Sequence, residues 1–250
     1  MRKILYVLYQ PYKWLFFAPF FIINSVIFGI FAVMVSPLSQ RLASLFGGVV
    51  WARLNSFLTP IFVRVKGREN IRKGQSYVII ANHQSTYDIF VLYGWLGIDF
   101  KWVMKKEVRK IPGVGFGSEA VGHIFIDRSS TKAALETIEK AKDKIKGGTS
   151  VVFFPEGTRS RSRELLPFKK GAYRFAFDLN LPILPVTING TREIMPPGTL
   201  DVWPGKAEIQ IHPPVDIGPY SLENITELMD RTRDIIQSAV KKNSRINRSF

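Results

Sequence analysis

The chain contains no cysteine in 250 residues and no acidic residue before Glu69. Without cysteine there can be no disulfide framework, no thiolate metal site and no thiol nucleophile. With only three histidines, His83, His123 and His212, few general bases are available and a clustered metal site is not expected. A Walker-type Gly-rich loop followed by Lys-Ser/Thr is missing. The glycines at 113, 115 and 117 lack the G-x-G-x-x-G spacing and follow Ile111-Pro112 rather than a strand, so a nucleotide loop is rejected.

What is present in excess is positive charge, 35 Lys and Arg against 20 Asp and Glu, net +15. Such an excess suits nucleic acid or an anionic membrane. Its distribution decides between them. Residues 1–75 carry ten basic groups against the single Glu69, and the same third holds a 22-residue uncharged run, 14–35, broken only by Asn24 and Ser25. As a helix that run would be about 33 Å long, enough for a hydrocarbon core of roughly 30 Å. Nucleic-acid binding needs no such segment, so a membrane is the expected partner and nucleic acid is not.

A signal peptide would be shorter in its apolar part and followed by a small-residue cleavage site. Basic residues flank the run on both sides, so a spanning helix would have no clear orientation. The favoured reading is a monotopic hairpin in one leaflet. In it Pro19, Asn24, Ser25 and Gly29 bend or break the helix and Ser36-Pro37 ends it, with 42–63 as a weaker second apolar segment. Both basic flanks then face one anionic leaflet.

From residue 62 onward, short apolar runs alternate with charged helical stretches. Strands are predicted at 62–66, 77–81, 100–104, 123–126, 150–154, 183–188 and 207–211, and helices at 86–94, 130–146, 170–179 and 221–242. The alternation predicts an α/β domain with a mainly parallel central sheet flanked by helices, over 62–250. It follows a membrane-embedded two-helix segment over 1–61. Ligand sites in such sheets lie beyond the carboxyl ends of the strands.

The chemistry-bearing residues fall at those ends. His83 follows the strand 77–81, and Asp88 comes five residues later. On a regular helix the two would diverge. With His83 on the turn and Asp88 in the first helical turn, the carboxylate can hold one imidazole nitrogen and leave the other as a base. A capping Asp beside a satisfied surface His fits the same short pattern. The segment Glu156-Gly157-Thr158-Arg159, with Ser160, Arg161, Ser162 and Arg163 after it, combines guanidinium forks, hydroxyls and a flexible turn, a composition suited to phosphate. Arg159 is the strongest candidate there, whereas Arg161 and Arg163 suit a solvated loop. Arg128 and Lys105 stand at the ends of two further strands. His212, before Pro213-Pro214, reads as structural, and His123, before the run 124–126, has no obvious partner.

In order, N-H-Q-S-x-x-D at 82–88, F-I-D-R at 125–128, F-P-E-G-T-R-S at 154–160 and L-P-I-L-P-V at 181–186 resemble the four motifs of the glycerolipid acyltransferases. The wording of the third is most similar to the 1-acyl-sn-glycerol-3-phosphate (lysophosphatidate) acyltransferases. The resemblance covers roughly 62–215. It implies transfer of a fatty acyl group from acyl-CoA or acyl-carrier protein to the free sn-2 hydroxyl of lysophosphatidate, giving phosphatidate. His83 would be the base and Asp88 its orienter. Arg159, Arg128 and Lys105 would hold the phosphate, Glu156, Gly157 and Thr158 would belong to the acceptor site, and backbone N–H groups near His83 would meet the oxyanion. No cofactor or metal is implied. A cell-membrane location with the catalytic domain on the cytoplasmic side follows, with membrane lipids as partners. The alternatives are another acceptor (glycerol 3-phosphate or a different lysophospholipid) and a non-catalytic protein that binds anionic lipid.

Overall fold

The structure, a computed structural model, describes residues 2–127, 136, 139, 141–145, 147–160, 162 and 164–241. Seven strands form one sheet in the order β1-β7-β6-β2-β5-β3-β4. They are β1 (Ile61–Lys66), β2 (Val78–Ala81), β3 (Phe100–Lys105), β4 (Ile124–Ile126), β5 (Ser150–Phe153), β6 (Ile183–Asn189) and β7 (Gly205–Ile211). The five strands from β6 to β4 are parallel; β7 runs antiparallel to β6, and β1 lies parallel to β7. All seven predicted strands are present, each within a residue or two of its expected ends.

Strand β2 explains the two-faced core. Ile79 and Ala81 belong to one buried cluster, and Val78 and Ile80 to the other. Successive side chains of a strand point to opposite faces, so an unbroken apolar strand needs cover on both. Helix α5 (Asp88–Trp95) and the N-terminal helices pack on the first face. Helices Gly171–Leu179 and Ile225–Ala239 cover the second. The predicted helix at 130–146 lies mostly outside the described residues, which include a 3₁₀ turn at Lys142–Lys144.

The N-terminal region forms two helical arms. The first runs through α1 (Arg2–Tyr12), a π-helical turn (Lys13–Phe17) and α2 (Ala18–Val35). Residues 36–39 turn the chain. The second arm is α3 (Gln40–Ser44), a π-helical segment (Leu45–Val50) and α4 (Trp51–Leu58). Contrary to the expected break, α2 is continuous through Pro19, Asn24, Ser25 and Gly29, and the last three are buried packing positions. Asn24 and Asn55 exchange side-chain hydrogen bonds at 3.0 and 3.2 Å, and Trp51 Nε1–H donates to Ser25 Oγ at 3.0 Å. These polar side chains therefore face the second arm, while Ile22, Ile23, Ile27, Ile30 and Met34 lie exposed. That is inside-out relative to a helix on a water-soluble domain.

The three glycines without a nucleotide role have a packing role. A Cβ on Gly29 would lie 2.6 Å from Gly113 O, and one on Gly117 would lie 2.9 Å from Gly29 Cα. Glycine at these positions lets α2 approach α6 (Val114–Ala120) to backbone contact.

Candidate active site

Strands β2, β3, β4, β5 and β6 end at one edge of the sheet, and the candidate residues sit there. Asn82 Oδ1 accepts Ile188 N–H at 2.7 Å, and its Nδ2 donates to Ile188 O at 2.9 Å, which pins the end of β2 to β6. The chain then turns through His83. Asp88 opens α5 and reaches back, and its Oδ2 accepts from His83 Nδ1 (2.8 Å), Gln84 N–H (2.7 Å) and Ser85 N–H (2.9 Å). The carboxyl is fully buried and the imidazole 15 % exposed. One side chain thus orients the ring and ties down the turn before the helix; it accepts from no N–H of α5, so the capping reading of the H-x4-D pattern does not hold. With the Nδ1 proton facing Asp88, the Nε2 lone pair is left over, and Nε2 has no hydrogen-bond partner among the described residues.

The imidazole stacks on Phe154, ring centroids 3.9 Å apart and planes 11° apart, and Phe154 stacks in turn on Trp102. This aromatic backing was not foreseen, although Phe154 opens the third motif.

Glu156 is buried directly behind His83. Its Oε1 accepts His83 N–H and its Oε2 accepts Leu166 N–H, each at 2.8 Å. Burial raises its carboxyl above the ordinary value, against the opposing pull of those two N–H groups. Both oxygens are committed to backbone, so the geometry gives Glu156 a place beneath His83 and not at an open surface.

The backbone around His83 departs from expectation. The N–H groups of residues 83, 84 and 85 are bound to Glu156 and Asp88. These three N–H groups are therefore not free to meet an oxyanion.

Gly157, at φ +72°, folds the following segment back along the rim; a Cβ there would also lie 2.9 Å from Lys169 Nζ. Thr158 and Arg159 are exposed, and Arg159 Nη1 donates to Thr86 Oγ1, three residues beyond the base. Ser160 N–H donates to His83 O at 2.9 Å. The structure therefore brings His83, Asp88, Glu156, Gly157, Thr158 and Arg159 together. Lys105 is exposed at the end of β3, on the same edge. Arg128 lies outside the described residues, as do Arg161 and Arg163. Sequence reasoning missed Lys169, beside Gly157, and Arg192, whose guanidinium touches the same segment. Both are ordinary basic residues in sequence, with no motif to mark them.

The other histidines stay apart. His123 is buried between Tyr93 OH and Trp102 N–H, and burial holds its pKa well below the usual histidine range. His212 contacts Thr187 Oγ1 at 2.8 Å.

A parallel sheet with an oriented histidine at its carboxyl edge and a cation-bearing loop beside it has close relatives. The profile of the acyltransferase family matches residues 62–189. A 1-acyl-sn-glycerol-3-phosphate acyltransferase from Limnanthes douglasii is 32% identical over 218 residues, 86% of this chain and 76% of the relative. One from Haemophilus influenzae is 31% identical over 198 residues, covering 77% and 81%. The crystal structure of the 1-acyl-sn-glycerophosphate (LPA) acyltransferase PlsC from Thermotoga maritima superposes with a TM-score of 0.77 at 32% identity over 96% of both chains. This chain belongs to the acyltransferase family.

Proposed function

We propose that the chain transfers a fatty acyl group from a thioester donor, acyl-CoA or acyl-carrier protein, to the sn-2 hydroxyl of lysophosphatidate. The observation that carries the reading is the His83 Nδ1–Asp88 Oδ2 contact at 2.8 Å, with Nε2 left unpaired. Nε2 takes the hydroxyl proton as the oxygen attacks the thioester carbon; the C–S bond then breaks, and the thiolate leaves with the proton from His83. The absence of cysteine excludes a thioester-linked acyl-enzyme, and direct transfer needs none. Arg159, with Lys105 and Arg128, holds the acceptor phosphate. Gly157 and Thr158 shape that side, and Glu156 supports the base from behind.

Residues 1–61 form the membrane hairpin of this reading and 62–250 the acyltransferase domain, on the cytoplasmic side of the cell membrane. The support is the 30-residue helix Tyr6–Val35, with a mean hydropathy of 2.3 in its most apolar window, and its outward apolar face. Lipid around that face removes the cost of wetting it.

The test is acyl transfer from oleoyl-CoA or oleoyl-carrier protein to 1-oleoyl lysophosphatidate by the purified chain. Phosphatidate formation by the wild type, and its reduction by about 10³-fold or more in His83→Ala, is expected for loss of a general base that also orients the reacting hydroxyl. Full turnover in His83→Ala would sink the base assignment.

A further inference from the structure

The chain leaves β6 through Gly190 at φ +86°, where a Cβ would lie 2.2 Å from Lys206 O, so only glycine fits. The turn that follows, Thr191–Ile194, sets Arg192 half-buried at the same edge as His83. Arg192 Nη1 donates to Ser160 O at 3.2 Å and to Ser162 O at 2.6 Å. On the other side, Ser160 N–H donates to His83 O at 2.9 Å, and Ser160 Oγ donates to Glu164 O at 2.8 Å. The backbone just after Arg159 is therefore held between the carbonyl of the base and one guanidinium.

Arg159 and Thr158 are exposed on a loop, and an exposed loop without such ties samples many conformations. A cation shared by two carbonyls is a strong and directional tie, because a guanidinium donates along fixed directions.

We propose that Arg192 is a positioning residue for the acceptor. By fixing the carbonyls of Ser160 and Ser162 it holds Arg159 at a set distance from His83, and so determines the apparent affinity for lysophosphatidate. It does not touch the reacting atoms. The inference rests on the reading of Arg159 as the phosphate ligand, and the experiment separates the two.

Full-length wild type, Arg159→Ala, Arg192→Gln, Arg192→Lys and the double variant Arg159→Ala/Arg192→Gln are compared. The measured quantities are kcat, KM for 1-oleoyl lysophosphatidate and KM for the oleoyl thioester. Arg159→Ala should raise the acceptor KM by about 10- to 100-fold, the effect of losing a charge-assisted contact. Arg192→Gln should raise it by about 10-fold and leave the donor KM within about 2-fold, since only the acceptor side is loosened. Arg192→Lys, which keeps the charge but loses the fork, should fall between, and its KM is informative even if the Gln variant fails to fold. The double variant should match Arg159→Ala, because a residue acting through Arg159 has nothing left to position. Independent, multiplying effects, an unchanged acceptor KM in Arg192→Gln or Arg192→Lys, or an equal rise in both KM values would overturn the inference. An unchanged acceptor KM in Arg159→Ala would instead overturn the phosphate reading beneath it.

Discussion

Glu156 Oε1 accepts the backbone N–H of His83 at 2.8 Å, so the buried carboxyl of one motif holds the turn of another. Its second oxygen does the same for Leu166 N–H at 2.8 Å. Glu156→Gln leaves one acceptor and introduces a donor that must face one of the two N–H groups. Unfolding free energy is expected to fall by about 1–3 kcal/mol, the cost of a buried unsatisfied group, and turnover to fall by about 10-fold or more as His83 shifts. Denaturant titration and acyl-transfer assays check both; unchanged values in both would show that the contact has no consequence.

Asp88 carries three donors on one oxygen while its Oδ1 has no hydrogen-bond partner among the described residues. Asp88→Asn keeps the shape and removes the charge that, in the proposed mechanism, stabilises the imidazolium formed during proton transfer. We expect kcat to drop by about 10²- to 10⁴-fold with the acceptor KM changed little, given the size of the effect of an orienting carboxylate in triads. A wild-type kcat in this variant would refute the orienting role.

The contact of Gly29 with Gly113 and Phe116 leaves no room for a side chain. Gly29→Val should destabilise the packing of α2 on α6 by about 1–3 kcal/mol, the range for overpacking. Limited proteolysis in detergent reads this out as faster cleavage between residues 36 and 39. The same substitution at Gly171, where no atom lies within 4 Å and φ is not positive, should cost less and leave this cleavage unaltered.

His123 is buried with its pKa well below 6.5, held there by burial and by Lys101 and Lys144. The folded state therefore binds fewer protons than the unfolded state as pH falls below 6.5, and stability must decline in that direction. Thermal melts between pH 7.5 and 5.0 should show a loss of at most about 1.4 kcal/mol per pH unit from this one proton. His123→Gln should show a shallower slope, and identical slopes would exclude His123 as a source.

The cysteine-free chain permits a direct test of the hairpin. Arg2→Cys and Glu69→Cys, made singly, should both react with an impermeant maleimide added from the cytoplasmic side of membrane vesicles. Labelling from opposite sides would mean that the first arm spans the bilayer.

Much was legible along the chain because the signals are local. Short apolar runs located all seven strands, and in β2 and β4, buried on both faces, the run is unbroken. His83 and Asp88, five apart across a strand-to-helix turn, could be paired in advance because the turn brings them together. The reversed direction of β1 and β7 could not be read, since an apolar strand looks alike in either direction. Asn24 and Gly29 suggested a bend because their partners, Asn55 and Gly113, are remote in sequence.

The sequence alone determined that the chain has an apolar, acid-free N-terminal segment, that no thiol chemistry is open to it, and that its chemistry-bearing residues stand at strand ends. Tertiary structure decided which of those residues meet. His83 and Glu156 are 73 positions apart, Asn82 and Ile188 are 106 apart, and Arg192 reaches Ser162 across 30. Contacts of that range are set by the order of strands in the sheet, which depends on the packing of the whole chain and not on any local pattern.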